Sequence, residues 1–182
     1  LAAQNAIGIL YYNGYGIEQD YLEAFKWYEL AADQGLLDAL YNLGTLYQWS
    51  DEIDRDYQEA LKLYKLAADQ NYSLAQTAIG VMYDFGLGVE KDQQKALKWY
   101  KLAADQGYDI AQNYVGNSYR SGDGVEQNIP EAINWYKLAA DQGNGDAQYN
   151  IGWIYFYGYE IDQDYQEAFK WLELAANKNN ID

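Results

Sequence analysis

The side chains of this chain that could do chemistry are its acids. Twenty-eight Asp and Glu stand against twelve Lys and Arg, for a net charge of −16, with no histidine and no cysteine. Thiolate and imidazole chemistry is thereby excluded, as are disulfides and the usual zinc sites, leaving carboxylates for acid–base or cation work. Two stretches invite such a reading. Asp51, Glu52, Asp54 and Asp56 crowd together, but they lack the alternating oxygen ligands, central Gly and closing Glu of a calcium loop. A solvated charged loop is expected there. "GLGVEK" (86–91) has the glycines of a phosphate cradle, yet it returns as "GYGIEQ" (14–19) and "GDGVEQ" (122–127), each with an acid that would repel phosphate. It reads as a turn. A hydrolase would need two carboxylates at catalytic separation, one with a raised pKa, whereas nearly every acid here falls at a helix cap or a repeated turn. No enzyme, metal or cofactor is expected.

The elements that carry these acids repeat. "KLAADQGYDIAQ" (101–112) returns as "KLAADQGNGDAQ" (137–148), "ELAADQGLLDAL" (29–40) and "KLAADQNYSLAQ" (65–76), always 36 residues apart. In that register Gly8, Gly44, Gly80, Gly116 and Gly152 share a column, as do Tyr11, Tyr47, Tyr83, Tyr119 and Tyr155. Each unit reads as two helices. The second starts at an N-cap, Asp20, Asp56, Asp92, Asn128 or Asp164, with Glu at the third position in four of five units, a capping-box pattern. It stops at Gly35, Asn71, Gly107, Gly143 or Asn179, the residue types that enter the left-handed conformation most cheaply. Gly in mid-helix costs about 1 kcal/mol against Ala, so its fivefold return implies close approach of two helix backbones. Trp27, Trp99, Trp135 and Trp171 are expected in the core, and the Tyr11 column is expected to be structural. Ser50-Asp51-Glu52 replaces the Gly-x-Gly of the other turns, so the second unit should turn differently. One helical hairpin of this size cannot bury its apolar face, but stacked hairpins can. The expected fold is all-α, one right-handed α-solenoid of five 36-residue helix-turn-helix repeats. It should form a single domain over 1–182, with repeats at approximately 1–35, 36–71, 72–107, 108–143 and 144–179 and the first helices on the inner, concave wall.

These columns resemble the Sel-1-like repeat (SLR) of the tetratricopeptide-like (TPR) superfamily. The third unit carries the pattern almost whole, in Ala75, Gly80, Tyr83, Gly86, Gly88, Val89, Asp92, Ala96, Trp99, Ala103, Ala104 and Gly107. Departures are Leu63 in place of the helix Trp, the missing Gly pair of unit two, and Glu160 at the second Gly of unit five. The resemblance implies a protein-interaction scaffold, of a kind that serves as adaptor in complex assembly, quality control and signalling, and in bacteria in host contact or envelope assembly. Some bacterial relatives resemble immunity proteins that neutralise toxins. A cysteine-rich subgroup is linked to β-lactam binding, and this chain departs from it.

Where the units disagree, side chains are free to recognise something. In the first helix the variable columns lie at i, i+4, i+7 and i+8, one helical face. The residues expected to bind a partner there are Asn5, Tyr12, Tyr41, Thr45, Gln48, Trp49, Asp84, Asn113, Asn117, Arg120, Tyr149, Trp153 and Phe156, with Ile9, Asn13, Thr77, Val81, Phe85, Ser121 and Tyr157 in the same columns. Aromatics and amides with few charges suit the centre of a protein interface. The turns within the units hold 13 of the 28 acids, against Arg55 and Lys91 alone, and should form an acidic edge beside this groove. The expected partner is thus a protein or peptide, basic at its flank and apolar or aromatic along its contact strip. Nucleic acid is disfavoured by the charge, and direct membrane insertion by the lack of a long apolar run. Self-association through the array ends is a further option. The expected function is a non-catalytic scaffold. An inhibitor or immunity protein that covers a bacterial toxin is the alternative, and a carboxylate-dependent hydrolase the third reading. The absence of Cys leaves the compartment open between cytoplasm and, after removal of a leader, periplasm or exterior.

Overall fold

Residues 1–178 are described in a computed structural model, and among them ten α-helices and no strand are found. The first helices of the five repeats are α1 (Ala2–Asn13), α3 (Leu37–Trp49), α5 (Ser73–Phe85), α7 (Asp109–Ser121) and α9 (Gly145–Tyr157). The second helices are α2 (Tyr21–Ala32), α4 (Tyr57–Ala68), α6 (Gln93–Ala104), α8 (Ile129–Asp141) and α10 (Tyr165–Lys178). The chain divides into two compact units, Leu1–Lys91 with α1 to α5 and Asp92–Asp182 with α6 to α10. In each unit, successive helices pack against one another as hairpins and as joints between hairpins.

Caps set the register. Asp20, Asp92 and Asn128 each accept from the backbone N–H three residues on at 2.9 Å, while Asp56 and Asp164 each accept from two backbone N–H groups. The reciprocal half of the capping box is not made. The backbone N–H groups of Asp20, Asp56, Asn128 and Asp164 instead donate to the carbonyls of Tyr11, Tyr47, Tyr119 and Tyr155, at 3.0, 3.0, 2.8 and 3.0 Å. That bond ties the ends of these four first helices to the starts of their partners. Glu23, Glu59 and Glu167 turn outward to Lys26, Lys62 and Lys170. At the other end, Gly35, Asn71, Gly107 and Gly143 are left-handed, with φ of 82°, 65°, 88° and 84°. The next residue in each case reaches back across the helix terminus, as Asn144 N–H does to Ala139 O at 3.0 Å. Asn179 lies outside the described residues. The second repeat does turn differently. Ser50 is extended, and its hydroxyl accepts from the Glu52 N–H at 3.2 Å.

The mid-helix glycines have another cause than the one expected. A methyl at Gly8 would lie 2.5 Å from Cε1 of Tyr28, at Gly44 2.7 Å from Tyr64, and at Gly116 2.5 Å from Tyr136. The glycine admits an aromatic ring from the second helix, not a second backbone. In the last repeat Leu172 takes the place of the ring, 2.6 Å from the same virtual methyl on Gly152. Tyr28, Tyr64 and Tyr136 are accordingly buried. Burial pushes the phenols of Tyr28, Tyr64 and Tyr136 well above the ordinary tyrosine range. The neighbouring tryptophans expected in the core are only half-buried. Trp135 and Trp171 keep their indole N–H on Glu131 and Glu167, at 3.0 and 2.9 Å.

Each joint between repeats sets a second helix on the next first helix. In the joint of α8 and α9, Ile129, Ile133 and Tyr136 close on Ala147, Ile151 and Ile154, with Tyr119, Tyr155 and Trp171 at the margin. The side-chain amides of Gln76, Gln112 and Gln148 donate across three joints to the carbonyls of Ala68, Ala104 and Ala140. The backbone approach expected at the helix glycines occurs in the turns instead, where a Cβ at Gly124 would collide with the Gln93 carbonyl.

Candidate functional site

The first helices of each unit present a mixed face whose members differ in depth. In the first unit, Tyr12 meets Tyr21 edge-on at 5.3 Å, and beside them Thr45, Trp49 and the Ser50–Glu52 turn line a depression of about 240 Å³. Trp49 is exposed. Tyr41 is half-buried between Tyr64 and Tyr72, with ring centroids 5.7 and 6.1 Å away. Thr45 donates to the Tyr41 carbonyl at 3.0 Å.

Three of the expected binding residues point inward. Gln48 is 1% exposed, and its Oε1 accepts from the buried hydroxyl of Tyr64 at 2.7 Å. A side chain so placed completes the interior and is not available to a partner. Asn5 is buried and accepts from Asn42 at 3.0 Å, and Asn113 is buried and accepts from Asn150 at 3.1 Å. These two bonds are the same amide bridge at two joints. Thr77, of the same columns, is buried too.

In the second unit, Asn113, Asn117, Arg120 and Tyr149 do gather. With Asn144 and Asn150 they line an open depression of about 410 Å³ between α7 and α9. Asn117 accepts from Tyr136 Oη at 2.8 Å and lies 3.4 Å from Asn150 Nδ2. Arg120 and Tyr149 are exposed. Along α9 the depression runs into a ring cluster. Trp153 meets Tyr149 edge-on at 5.6 Å and Phe156 at 5.3 Å, and stacks on Tyr157 at 5.1 Å with planes 15° apart. The indole nitrogen of Trp153 is buried without a hydrogen-bond partner. Asp84 is half-buried near the end of α5, while Ile9, Asn13, Phe85 and Ser121 are exposed and Val81 half-buried.

The sequence reading missed Asn150, and Tyr159 and Tyr165, which extend the ring cluster from Tyr157 and Phe156. A signal for Asn150 existed. Its column reads Ala6, Asn42, Ala78, Tyr114 and Asn150, as variable as those chosen.

Two carboxylates with perturbed protonation, Asp92 and Glu167, move the wrong way for a general acid. Asp92 is held low by the Lys95 backbone N–H and then by its ammonium, and Glu167 by the hydrogen bond from Lys170. Asp51 is nearly fully exposed against Arg55, and Asp56 is occupied as a cap. Among the described residues no cluster of His, Cys, Asp and Glu could hold a metal ion, and no helix is long and apolar enough to cross a membrane.

The Sel1 repeat family's sequence model matches five times, at residues 1–36, 37–72, 73–108, 109–144 and 145–180. The chain belongs to the Sel1 repeat family. A Sel1 repeat protein from Oxalobacter formigenes is similar in structure, with a TM-score of 0.89 and 37% identity over 98% of this chain and 73% of that one. So is c5321, a protective antigen of uropathogenic Escherichia coli displaying an SLR fold, with a TM-score of 0.81 and 32% identity over 98% of this chain but only 38% of its own. Immunity protein Pa5087 from Pseudomonas aeruginosa shares the fold at 21% identity and a TM-score of 0.50, over 85% of this chain and 73% of that one. No curated protein matches the sequence. With ten helices in five repeats, the fold class is that of an all-α helical-repeat solenoid. Sel1 repeats generally mediate protein–protein interaction, typically as non-catalytic scaffolds.

Proposed function

We propose that this Sel1 repeat protein is a non-catalytic scaffold that holds a peptide or protein segment against the first-helix face of its repeats. The observation that carries the reading is the ring cluster of α9 next to the amide-lined depression. Tyr149, Phe156 and Tyr157 are exposed, and Trp153 packs among them. Exposed, rigid aromatics beside adaptable amides are the composition of interface hot spots. The surrounding turns are acidic, with Asp123, Glu126, Glu160, Asp162 and Asp164 in the second unit. The partner is therefore basic at its flank and apolar or aromatic along its contact strip. Such charges act mainly on the rate of encounter and are screened by salt.

The test is capture on the immobilised chain at low salt, repeated with Phe156→Ala and Arg120→Ala chains of unchanged helicity. The reading requires a partner that elutes steeply as salt is raised and that the Phe156→Ala chain retains at least roughly tenfold less tightly. Retention by the Phe156→Ala chain equal to that of the wild type, or affinity indifferent to salt, would overturn it. The same captured protein separates an adaptor from an inhibitor. The likeness to an immunity protein is one of fold alone, and only an inhibitor would abolish an activity of the protein it covers.

A further inference from the structure

The unusual turn of the second repeat leaves open a place that the next two repeats close. In the third and fourth repeats, the second glycine of the turn lies directly on the second helix of the repeat before. A Cβ at Gly88 would collide with the Cβ of Tyr57, and one at Gly124 with the Gln93 carbonyl. Gln58 holds the first of these turns by donating to the Gly88 carbonyl, and Gln93 holds the other by donating to Asp123 at 2.7 Å. In the second repeat, Glu52 stands in that glycine's column and Leu22 in the column of Gln58. A side chain cannot take the glycine's place against Tyr21, and Leu22 has no donor with which to hold the turn down. The depression of about 240 Å³ opens there, lined by Tyr21 and by the turn itself.

Its walls combine what a cation needs. Tyr12, Tyr21 and Trp49 bring three rings, and Asp51 and Glu52 two carboxylates. Gln19 fastens two of the rings, donating to the Tyr12 carbonyl at 2.7 Å and to the Tyr21 hydroxyl at 3.0 Å, so their edge-on contact is set before anything binds. Trp49 is 55% exposed. Arg55 comes no closer than 3.6 Å to Asp51, and Glu52 has no ion pair among the described residues. An aromatic face attracts a cation within about 6 Å of its centre, more strongly where water is excluded. The set does not recur in the next two repeats. Leu87 and Gly88 take the acids' columns in the third, and by the fourth the ring columns have become Asp84, Gln93 and Ser121.

We infer that this depression takes an alkylammonium group, the end of a lysine side chain in the basic segment of the partner; the source of the group rests on the scaffold reading above. The volume of about 240 Å³ lies below the roughly 300–1,000 Å³ of sites for drug-sized ligands and suits a single side chain. The apolar stem lies along the rings, and the ammonium faces Glu52. The acidic turn thereby gains a specific task beside its general attraction for a basic partner.

n-Butylammonium chloride has the stem and head of a lysine side chain and probes the depression without any partner. It is titrated into the 182-residue chain at constant ionic strength, to on the order of 100 mM, while the indole N–H of Trp49 is followed by NMR and assigned by its loss in Trp49→Leu. That signal should shift saturably, with binding at least roughly fivefold tighter than that of 1-butanol, the neutral counterpart of the same length. Tyr12→Leu and Glu52→Gln, each with wild-type helicity, should weaken butylammonium binding by roughly threefold or more. No shift, or a shift that 1-butanol or sodium chloride reproduces, overturns the inference. So does binding that neither substitution weakens. The source of the ammonium is tested on the captured partner, which the Trp49→Leu chain should hold at least roughly tenfold less tightly than the wild type. Equal retention there overturns the assignment to a partner's lysine and leaves the scaffold reading intact. Failure to capture any partner overturns the scaffold reading and that assignment together, while the butylammonium shift still decides what the depression binds.

Discussion

Tyr136 against Gly116 and Trp153 against Tyr149 are both contacts of an aromatic ring with a first helix, and they do opposite work. The first is buried, and it recurs with the same residue types in repeats one and two. The second lies at the surface of α9 in columns that vary between repeats. Where the repeats agree, a side chain is committed to holding one helix against another. Where they disagree on exposed positions, the chain can change residues without losing the hairpin. Stability and recognition thus reside in different columns of one helix.

Tyr136→Ala should break the frame most severely. It removes a fully buried ring and the hydroxyl that donates to Asn117, and about 3–5 kcal/mol of stability should be lost, read as a shift in the urea midpoint. Gly116→Ala forces a methyl to within 2.5 Å of that ring and should cost about 1–3 kcal/mol. The same change at Gly152 meets Leu172, whose aliphatic side chain can shift more easily than a ring, and the Ala168 carbonyl at 3.3 Å, and should cost less. Asp56→Ala removes an acceptor for two N–H groups at the start of α4 and should cost about 1 kcal/mol, by the same midpoint. The smallest effect has the opposite sign. Glu160 is a non-glycine held at φ 52° in the turn where three other repeats have glycine. Glu160→Gly should therefore raise the midpoint by the equivalent of about 1 kcal/mol.

Much of the frame was legible in the sequence because it is local. Caps and left-handed C′ residues satisfy backbone groups within a few positions, so Asp56 or Gly107 declares its role by type and place. The purpose of the helix glycines was not legible. Gly116 and Tyr136 are equally regular columns, and a repeat aligned on itself shows that a column is constrained without showing what it touches. The tryptophans misled for a related reason. Trp135 and Tyr136 are adjacent in sequence, about 100° apart around the helix, and only packing decides which ring faces the glycine. Gln48 shows the limit of reading variability as freedom. The buried hydroxyl of Tyr64 is met by Gln48, and that of Tyr136 by Asn117, one turn earlier in its repeat's first helix. Two repeats thus solve the same desolvation problem at different positions, and each solution looks like variation. Burial of an unpaired hydroxyl costs about 1–3 kcal/mol, enough to fix both choices.

The division between frame and face is tested most directly by the Trp153→Ala/Tyr149→Ala chain, with partner affinity by titration calorimetry and thermal unfolding by circular dichroism measured on the same preparation. The account predicts helicity close to the wild type, a destabilisation smaller than that of Tyr136→Ala, and loss of affinity for the captured partner by at least roughly tenfold. Wild-type affinity in that chain, or its collapse to an unfolded state, would contradict it.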